Sequence, residues 1–155
     1  MGFYKLEKKI WTDQDFDIMG WHDCRLWALL GIIESFEFVL DLDYIFKWED
    51  PSPGETNFKF WVSPVTMVFE NAHDVKIDIE SQQGLIQIDN LFKSEERKLG
   101  KSDLFDYLYQ FICQEGDVTF RSTGYKMYVR QPPQLIQRQY LALNIRGGIS
   151  VERST

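Results

Sequence analysis

The sequence predicts a mainly β protein, in which a mostly antiparallel sheet forms a sandwich or a partly open barrel with one or two short helices. Aromatic residues make up 15% of the chain, and they suit the pleated, half-buried surface of a sheet. Short alternating segments follow one another through short turns without the helical spacing of a parallel sheet. At 155 residues, 44% of them hydrophobic, the chain is long enough for a core of its own, and we expect one domain over 1–155.

The N-terminal region predicts one edge strand and one helix. Residues 3–10 alternate loosely, and their lysines suit an exposed sheet edge. Thr12 and Asp15 have the spacing of a helix N-cap and its acidic partner. The helix is predicted over Asp13–Met19, with Gly20 in the position of a terminating glycine.

The most regular pattern of the chain lies in a predicted hairpin. Trp21 to Cys24 form the entry to its first strand, and Glu34 and Ser35 form its turn. Alternation in the second strand predicts one face in the core and one in water. The core face holds Phe36, Phe38, Leu40, Leu42 and Tyr44, and the water face holds Glu37, Val39, Asp41 and Asp43.

The remainder of the chain predicts further short strands. Residues 50–54 form a loop because two prolines and a glycine cannot continue a ladder. Pro64 is expected to break the strand at 57–71 or to place it at an edge. The later predictions are strands at 75–79, 85–88 (paired with 75–79), 106–114, 117–121 and 125–130, an exposed charged excursion at 93–103, a loosely helical segment at 135–145, and a last short strand at 149–151.

Charge and composition exclude several classes of function. A net charge of −7 and a pI near 4.8 do not suit a nucleic-acid-binding protein, which needs clustered Lys and Arg. They suit a basic protein partner. The chain has no apolar run of the length that a signal peptide or a membrane span requires, so we expect a cytoplasmic protein without membrane association. Cys24 and Cys113 are then expected to be reduced, and no motif indicates a cofactor or a metal ion.

Two groups of residues are candidates for chemistry. His22 and Cys24 could form a cysteine–histidine nucleophilic site. On a strand, however, their Cα atoms lie about 7 Å apart, which is too far for a direct hydrogen bond, so a structural role for His22 is the preferred interpretation. The acidic face of Glu37, Asp41 and Asp43 fits a solvated strand face, a surface for a basic partner, or less often a catalytic or cation site. Exposed tryptophans would suit a stacked ligand, although core filling is the commoner role.

The segments WTDQDFDIMGWHDC (11–24), FEFVLDLDYIF (36–46) and RGGIS (146–150) carry a resemblance. In them the chain resembles small uncharacterised bacterial β-domains, some of which are similar to immunity proteins of polymorphic toxin systems. The resemblance covers the first half of the chain and a C-terminal fragment, and it implies binding to a cognate toxin rather than catalysis. An acidic protein would suit a basic nuclease as that toxin.

These observations together predict a non-catalytic cytoplasmic binding protein that meets a basic partner. The alternative is a small enzyme or a ligand-binding β-domain that uses the His22/Cys24 region or exposed tryptophans. No catalytic residue is assigned, and the oligomeric state is left open. The candidate binding residues are Glu37, Asp41, Asp43, Trp21, His22 and Asp23.

Overall fold

The structure, a computed structural model, describes residues 3–154. In this part of the chain, ten strands and one short 3₁₀ helix are formed, and the helix follows the first strand at Asp13–Ile18. The mainly β prediction is therefore confirmed. The strands are β1 (Ile10–Thr12), β2 (Arg25–Ile32), β3 (Glu37–Glu49), β4 (Lys59–Glu70), β5 (His73–Ile79), β6 (Ile86–Lys98), β7 (Phe105–Cys113), β8 (Gly116–Ser122), β9 (Gly124–Val129) and β10 (Gln134–Ile136).

All strands belong to one open antiparallel sheet with the order β1-β9-β4-β3-β2-β6-β7-β8-β5, and β10 pairs with β4. The sheet bends sharply where β4 continues into β5 and β8 continues into β9. Across that bend the pairing passes from Glu70 and Gly124 to His73 and Arg121. Thr123 donates its backbone N–H to the Glu70 carbonyl at 3.0 Å, which ties the two bent strands together.

The bend brings the inner faces of distant strands onto one hydrophobic core. Phe69 of β4 lies 4.6 Å from Phe120 of β8 and 5.1 Å from Tyr109 of β7, measured between ring centroids. Edge-to-face contacts of this kind add to the free energy gained from burying the rings. The core face predicted for β3 is confirmed at Phe38, Leu40, Leu42 and Tyr44, whereas Phe36 lies in the exposed hairpin turn.

Near the chain ends the helix predicted after Thr12 is present, whereas the strands predicted at 3–10 and 149–151 and the helix predicted at 135–145 are not formed as predicted. Residues 3–9 form no strand, and the edge strand is the three-residue β1, which pairs with β9. The predicted capping box of Thr12 and Asp15 is present, but the helix is of the 3₁₀ type and ends without a left-handed glycine at Gly20. The predicted helix at 135–145 is absent from the described residues, because β10 and a series of turns take its place.

The middle of the chain also differs from the prediction. The charged stretch 93–98 belongs to β6, and its exposed charges line a strand rather than a loop. β6 pairs with β7 and β2, so the predicted pairing of 85–88 with 75–79 is wrong. β4 runs through Pro64 without a break, since Pro64 lies where the strand that pairs with β4 changes from β10 to β9.

No helix in the described residues has the length and apolar character needed to cross a membrane.

Candidate functional site

The predicted acidic face of β3 is not a surface. Asp41 and Asp43 are 0% exposed, and they are covered by residues 137–154, the C-terminal segment, which lies across the outer side of β3. The prediction that this face meets water is therefore wrong at both aspartates. The two aspartates can be buried because the C-terminal segment, about a hundred residues later in the chain, pairs them with a positive charge and with backbone N–H donors.

Arg146 is the main partner of both buried aspartates. Its guanidinium donates to Asp41 at 2.6 and 2.9 Å and to Asp43 at 3.0 Å. Arg130 donates to Asp41 at 2.9 Å, and the backbone N–H of Leu141 donates to Asp43 at 2.9 Å. A buried ion pair is tolerated when its charged atoms are hydrogen-bonded in this way.

The environment shifts the ionisation of this cluster. Burial raises the pKa of Asp43, while the charge of Arg146 opposes that rise. Burial by itself would lower the pKa of Arg146, but hydrogen bonds to Asp41 and the charge of Asp43 raise it above its usual value. Trp27 contacts both members of this ion pair. Its ring lies 4.7 Å from the Arg146 guanidinium, and its indole N–H donates to Asp43 at 2.9 Å.

Glu37 is the third acidic residue of the predicted binding face. It lies at the surface, where Arg153 of the C-terminal segment donates to it at 2.6 and 3.0 Å. These hydrogen bonds from Arg153 lower the pKa of the Glu37 carboxyl. All three carboxylates thus already have an arginine of their own chain.

Two of the other three predicted binding residues, Trp21 and His22, line a cleft beside the start of β2, and Asp23 lies in the same turn. Arg25 of β2 pairs with Asp43 and Gln87, and the neighbouring β3 and β6 both continue beyond those residues. A gap therefore opens between β3 and β6, and the turn at 21–24 fills its base. We call this gap the aromatic cleft; its lining residues are Ile18, Gly20, Trp21, His22, Tyr44, Ile45, Phe46, Trp48, Asp89 and Asn90.

The turn at 21–24 is held against β6 by two backbone hydrogen bonds. Asp23 donates its N–H to the Ile88 carbonyl at 2.8 Å, and Ile88 donates to the Cys24 carbonyl at 2.8 Å. Asp23 has a positive φ of 68°, which aspartate tolerates better than most residues. The predicted strand entry is therefore a turn, and the strand itself begins at Arg25.

Two irregularities in the ladders shape the walls of the cleft. The register of β3 against β4 shifts between Ile45 and Lys47, and that of β6 against β7 shifts between Ile88 and Asn90. Such bulges change the direction of local side chains. The residues at the two shifts, Phe46 and Asp89, both line the cleft.

The mouth of the cleft carries the exposed aromatic surface. Trp48 is 40% exposed, and its ring lies nearly parallel to that of His22, with 5.9 Å between the centroids and 14° between the planes. Phe58 and Phe60 contact Trp48 edge-on at 5.9 and 5.0 Å. These contacts fix the orientation of the indole while leaving part of it open to a ligand.

Polar groups line the same space. The cleft has a volume of about 530 Å³, and none of its described lining residues is Lys or Arg. Asp89 contributes a carboxylate at the rim. Trp21 is only 2% exposed, and its indole N–H has no acceptor among residues 3–154. The wall therefore combines aromatic faces, negative charge and one unsatisfied donor.

Cys24 does not lie in a nucleophilic environment. Its side chain is fully buried, and burial raises its pKa to about 12. Because the thiolate is the nucleophile, the arrangement gives no support to a cysteine–histidine site. His22 instead lies at the surface, with Nε2 3.5 Å from Asp23 Oδ2.

A second histidine–aspartate pair lies on the other half of the sheet. His73 Nε2 is 3.3 Å from Asp106 Oδ2, but Asp106 also accepts from Arg97 and Arg121 at 3.0 Å each. Both guanidinium groups donate to Oδ1, whereas Oδ2, which faces His73, accepts no hydrogen bond from a described residue. This pair provides a comparison for the cleft, where Asp89 has no ion pair to another described residue.

Comparison with protein-family models, with curated proteins and with solved structures finds no match to this chain. The chemistry of the cleft therefore rests on its own residues. The sequence predicted Trp21 and His22 there, and Asp23 beside them, but not Phe46, Trp48, Asp89 and Asn90. Trp48 ends the alternating strand and gave a weak signal, whereas Asp89 gave none because a ladder shift determines its position.

Proposed function

We propose that the protein is a non-catalytic binding protein whose aromatic cleft accepts a cationic side chain, arginine or lysine, from a basic protein partner. The observation that supports this proposal most directly is the stack of His22 on Trp48 next to the Asp89 carboxylate. A guanidinium or ammonium group above an indole face is stabilised by the ring electrons. A carboxylate at the same mouth adds charge attraction and a hydrogen-bond acceptor.

The charge distribution supports the same class of partner. The chain has a net charge of −7, and the described lining of the cleft contains no Lys or Arg that would repel a cation. Such a field steers a basic partner toward the protein and raises the association rate. The immunity-like role that the sequence resemblance implies is one form of this function, in a cytoplasmic setting.

The proposed binding surface is the aromatic cleft and not the acidic face of β3 that the sequence predicted. Asp41 and Asp43 are paired with Arg146 inside the protein, so a partner would have to displace the C-terminal segment to reach them. The cleft needs no such displacement at its mouth. The N–H of Trp21 lies deeper and is not exposed, so a ligand reaches it only if side chains at the mouth move.

The test is the affinity for a short arginine-containing peptide, measured by calorimetry with a chelator present. We expect Trp48→Ala and Asp89→Asn each to weaken binding about tenfold, since each removes one contact to the cation, worth about 1–2 kcal/mol. Asp103→Asn is the matched control, because it removes the same charge from the exposed turn between β6 and β7. Equal effects of Asp89→Asn and Asp103→Asn would mean that only net charge matters, and the cleft would be rejected.

A further inference from the structure

We infer that His22, Asp23 and Asp89 form a binding site for a divalent transition-metal ion such as Zn²⁺ at the rim of the aromatic cleft. One ligand atom from each residue lies within 4.8 Å of the others. An imidazole nitrogen with two carboxylate oxygens is a ligand set that suits zinc and its neighbours in the first transition row. The sequence shows no such signature, because Asp89 is distant from the other two residues along the chain.

The geometry is close to that of a bound ion. Ligand atoms about 2.1 Å from a tetrahedral metal ion lie roughly 3.4 Å from one another. His22 Nε2 and Asp23 Oδ2 are already 3.5 Å apart. The Asp89 ligand atom lies within 4.8 Å of the other two, so it has to move by at most about 1.4 Å to reach the tetrahedral spacing.

The backbone explains why two consecutive residues present ligand atoms to the same point. On a regular strand the side chains of His22 and Asp23 would point to opposite faces. The left-handed conformation of Asp23, at φ 68°, breaks that alternation. The hydrogen bond from Asp23 N to Ile88 O then places the turn beside Asp89, the next residue of β6.

The neighbouring side chains orient the ligands. Gln87 donates its amide N–H to Asp23 Oδ1 at 2.7 Å, which leaves Oδ2 on the side of His22. The ring of Trp48 holds the imidazole plane of His22 through the stack at 5.9 Å. Partners of this kind typically change metal affinity by about ten- to a hundredfold when they are removed.

The cleft provides space beside the three proposed ligands. His22 and Asp89 line a space of about 530 Å³, which has room for a further ligand of the ion. A metal ion with three protein ligands keeps at least one coordination position for water or an exogenous oxygen atom.

The experiment uses the full chain and adds the metal alone. Titration with Co²⁺, followed by its visible absorption, and with Zn²⁺, followed by calorimetry, is expected to show one saturable site per chain. His22→Gln and Asp89→Asn are expected to lower the affinity at least tenfold, and Gln87→Ala about tenfold. His73→Gln is the matched control, because that histidine faces the Asp106 carboxylate but belongs to no group of three possible metal ligands in the described part of the chain.

The proposal is overturned if no saturable site is found below millimolar metal, or if His22→Gln and His73→Gln affect the affinity equally. Thermal melting of each variant checks that it is folded. Metal binding is measured without peptide, and peptide binding is measured with a chelator. A failure of the metal site therefore leaves the proposed cationic-ligand function untouched, and the reverse also holds.

Discussion

Arg146 and Asp41 form a two-point hydrogen-bonded pair inside the protein, with Nη2 2.6 Å from Oδ1 and Nη1 2.9 Å from Oδ2. Both side chains are fully removed from water, and they are 105 residues apart in the chain. The pair therefore fastens the C-terminal segment to the outer face of β3. Together with the contact of Arg146 to Asp43, it also explains why Asp41 and Asp43 are buried, although alternating acidic residues on a strand are typical of a solvated surface.

Replacing Arg146 by Met is expected to lower the free energy of unfolding by about 3–5 kcal/mol, since removal of one partner leaves buried charge uncompensated. For a chain of this length the melting temperature should fall by roughly 10 °C. Thermal melting followed by circular dichroism measures this change. A shift of less than 2 °C would show that the pair contributes little to stability.

The control for that variant is Arg153→Ala. Arg153 pairs with Glu37 through hydrogen bonds as short as those of Arg146, but its side chain is 40% exposed. Exposed ion pairs contribute about 0–1 kcal/mol, so Arg153→Ala should leave the melting temperature within roughly 3 °C of the wild type. Equal losses for the two arginines would contradict the importance of burial.

The buried carboxylate of Asp106 predicts a pH dependence of stability. Burial tends to raise its pKa, but hydrogen bonds from Arg121 and Arg97 lower it below the ordinary value. A carboxyl whose folded pKa is below its unfolded pKa stabilises the protein above the unfolded value, near pH 4, and that contribution is lost as the pH falls through the folded pKa.

Asp106→Asn is therefore expected to be less stable than the wild type at pH 7 and to approach it in stability as the pH falls below about 4. Urea unfolding at a series of pH values measures the difference. A difference that stays constant from pH 7 to pH 3 would contradict the lowered pKa of Asp106.

Both cysteines are expected to be unreactive in the folded protein. Cys24 and Cys113 are free and buried, and burial raises the pKa of each thiol to about 12. Modification with a thiol reagent at pH 7.5 should therefore proceed only after unfolding, with both thiols reacting in denaturant. Rapid modification of Cys24 under native conditions would contradict its burial and would support a cysteine-dependent enzyme.

The sequence predicted the parts of the fold that depend on local pattern. Alternation correctly placed Phe38, Leu40, Leu42 and Tyr44 in the core, and the spacing of Thr12 and Asp15 correctly predicted a capping box. Alternation was misleading at Asp41 and Asp43, because it reports which residues share a face but not what covers that face. The covering residue, Arg146, lies too far along the chain to be paired with them by inspection.

The candidate site was predictable only in part, because it also depends on contacts between residues that are distant along the chain. The unusual composition of Trp21, His22 and Asp23 drew attention to the turn, although its strand-like interpretation was wrong. Asp89 joins them through a ladder shift and two backbone hydrogen bonds. These features depend on the tertiary register of β6 and have no local sequence pattern.

The most direct test of the cationic-ligand function is a titration of ¹⁵N-labelled protein with a short arginine-containing peptide, followed by the tryptophan indole and backbone amide signals. We expect saturable shifts of the Trp48 indole and of the amides at 21–23 and 89–90, with the Trp27 indole unchanged because Asp43 already accepts its hydrogen bond. Shifts scattered over the acidic surface, or none at the cleft, would contradict the proposed site.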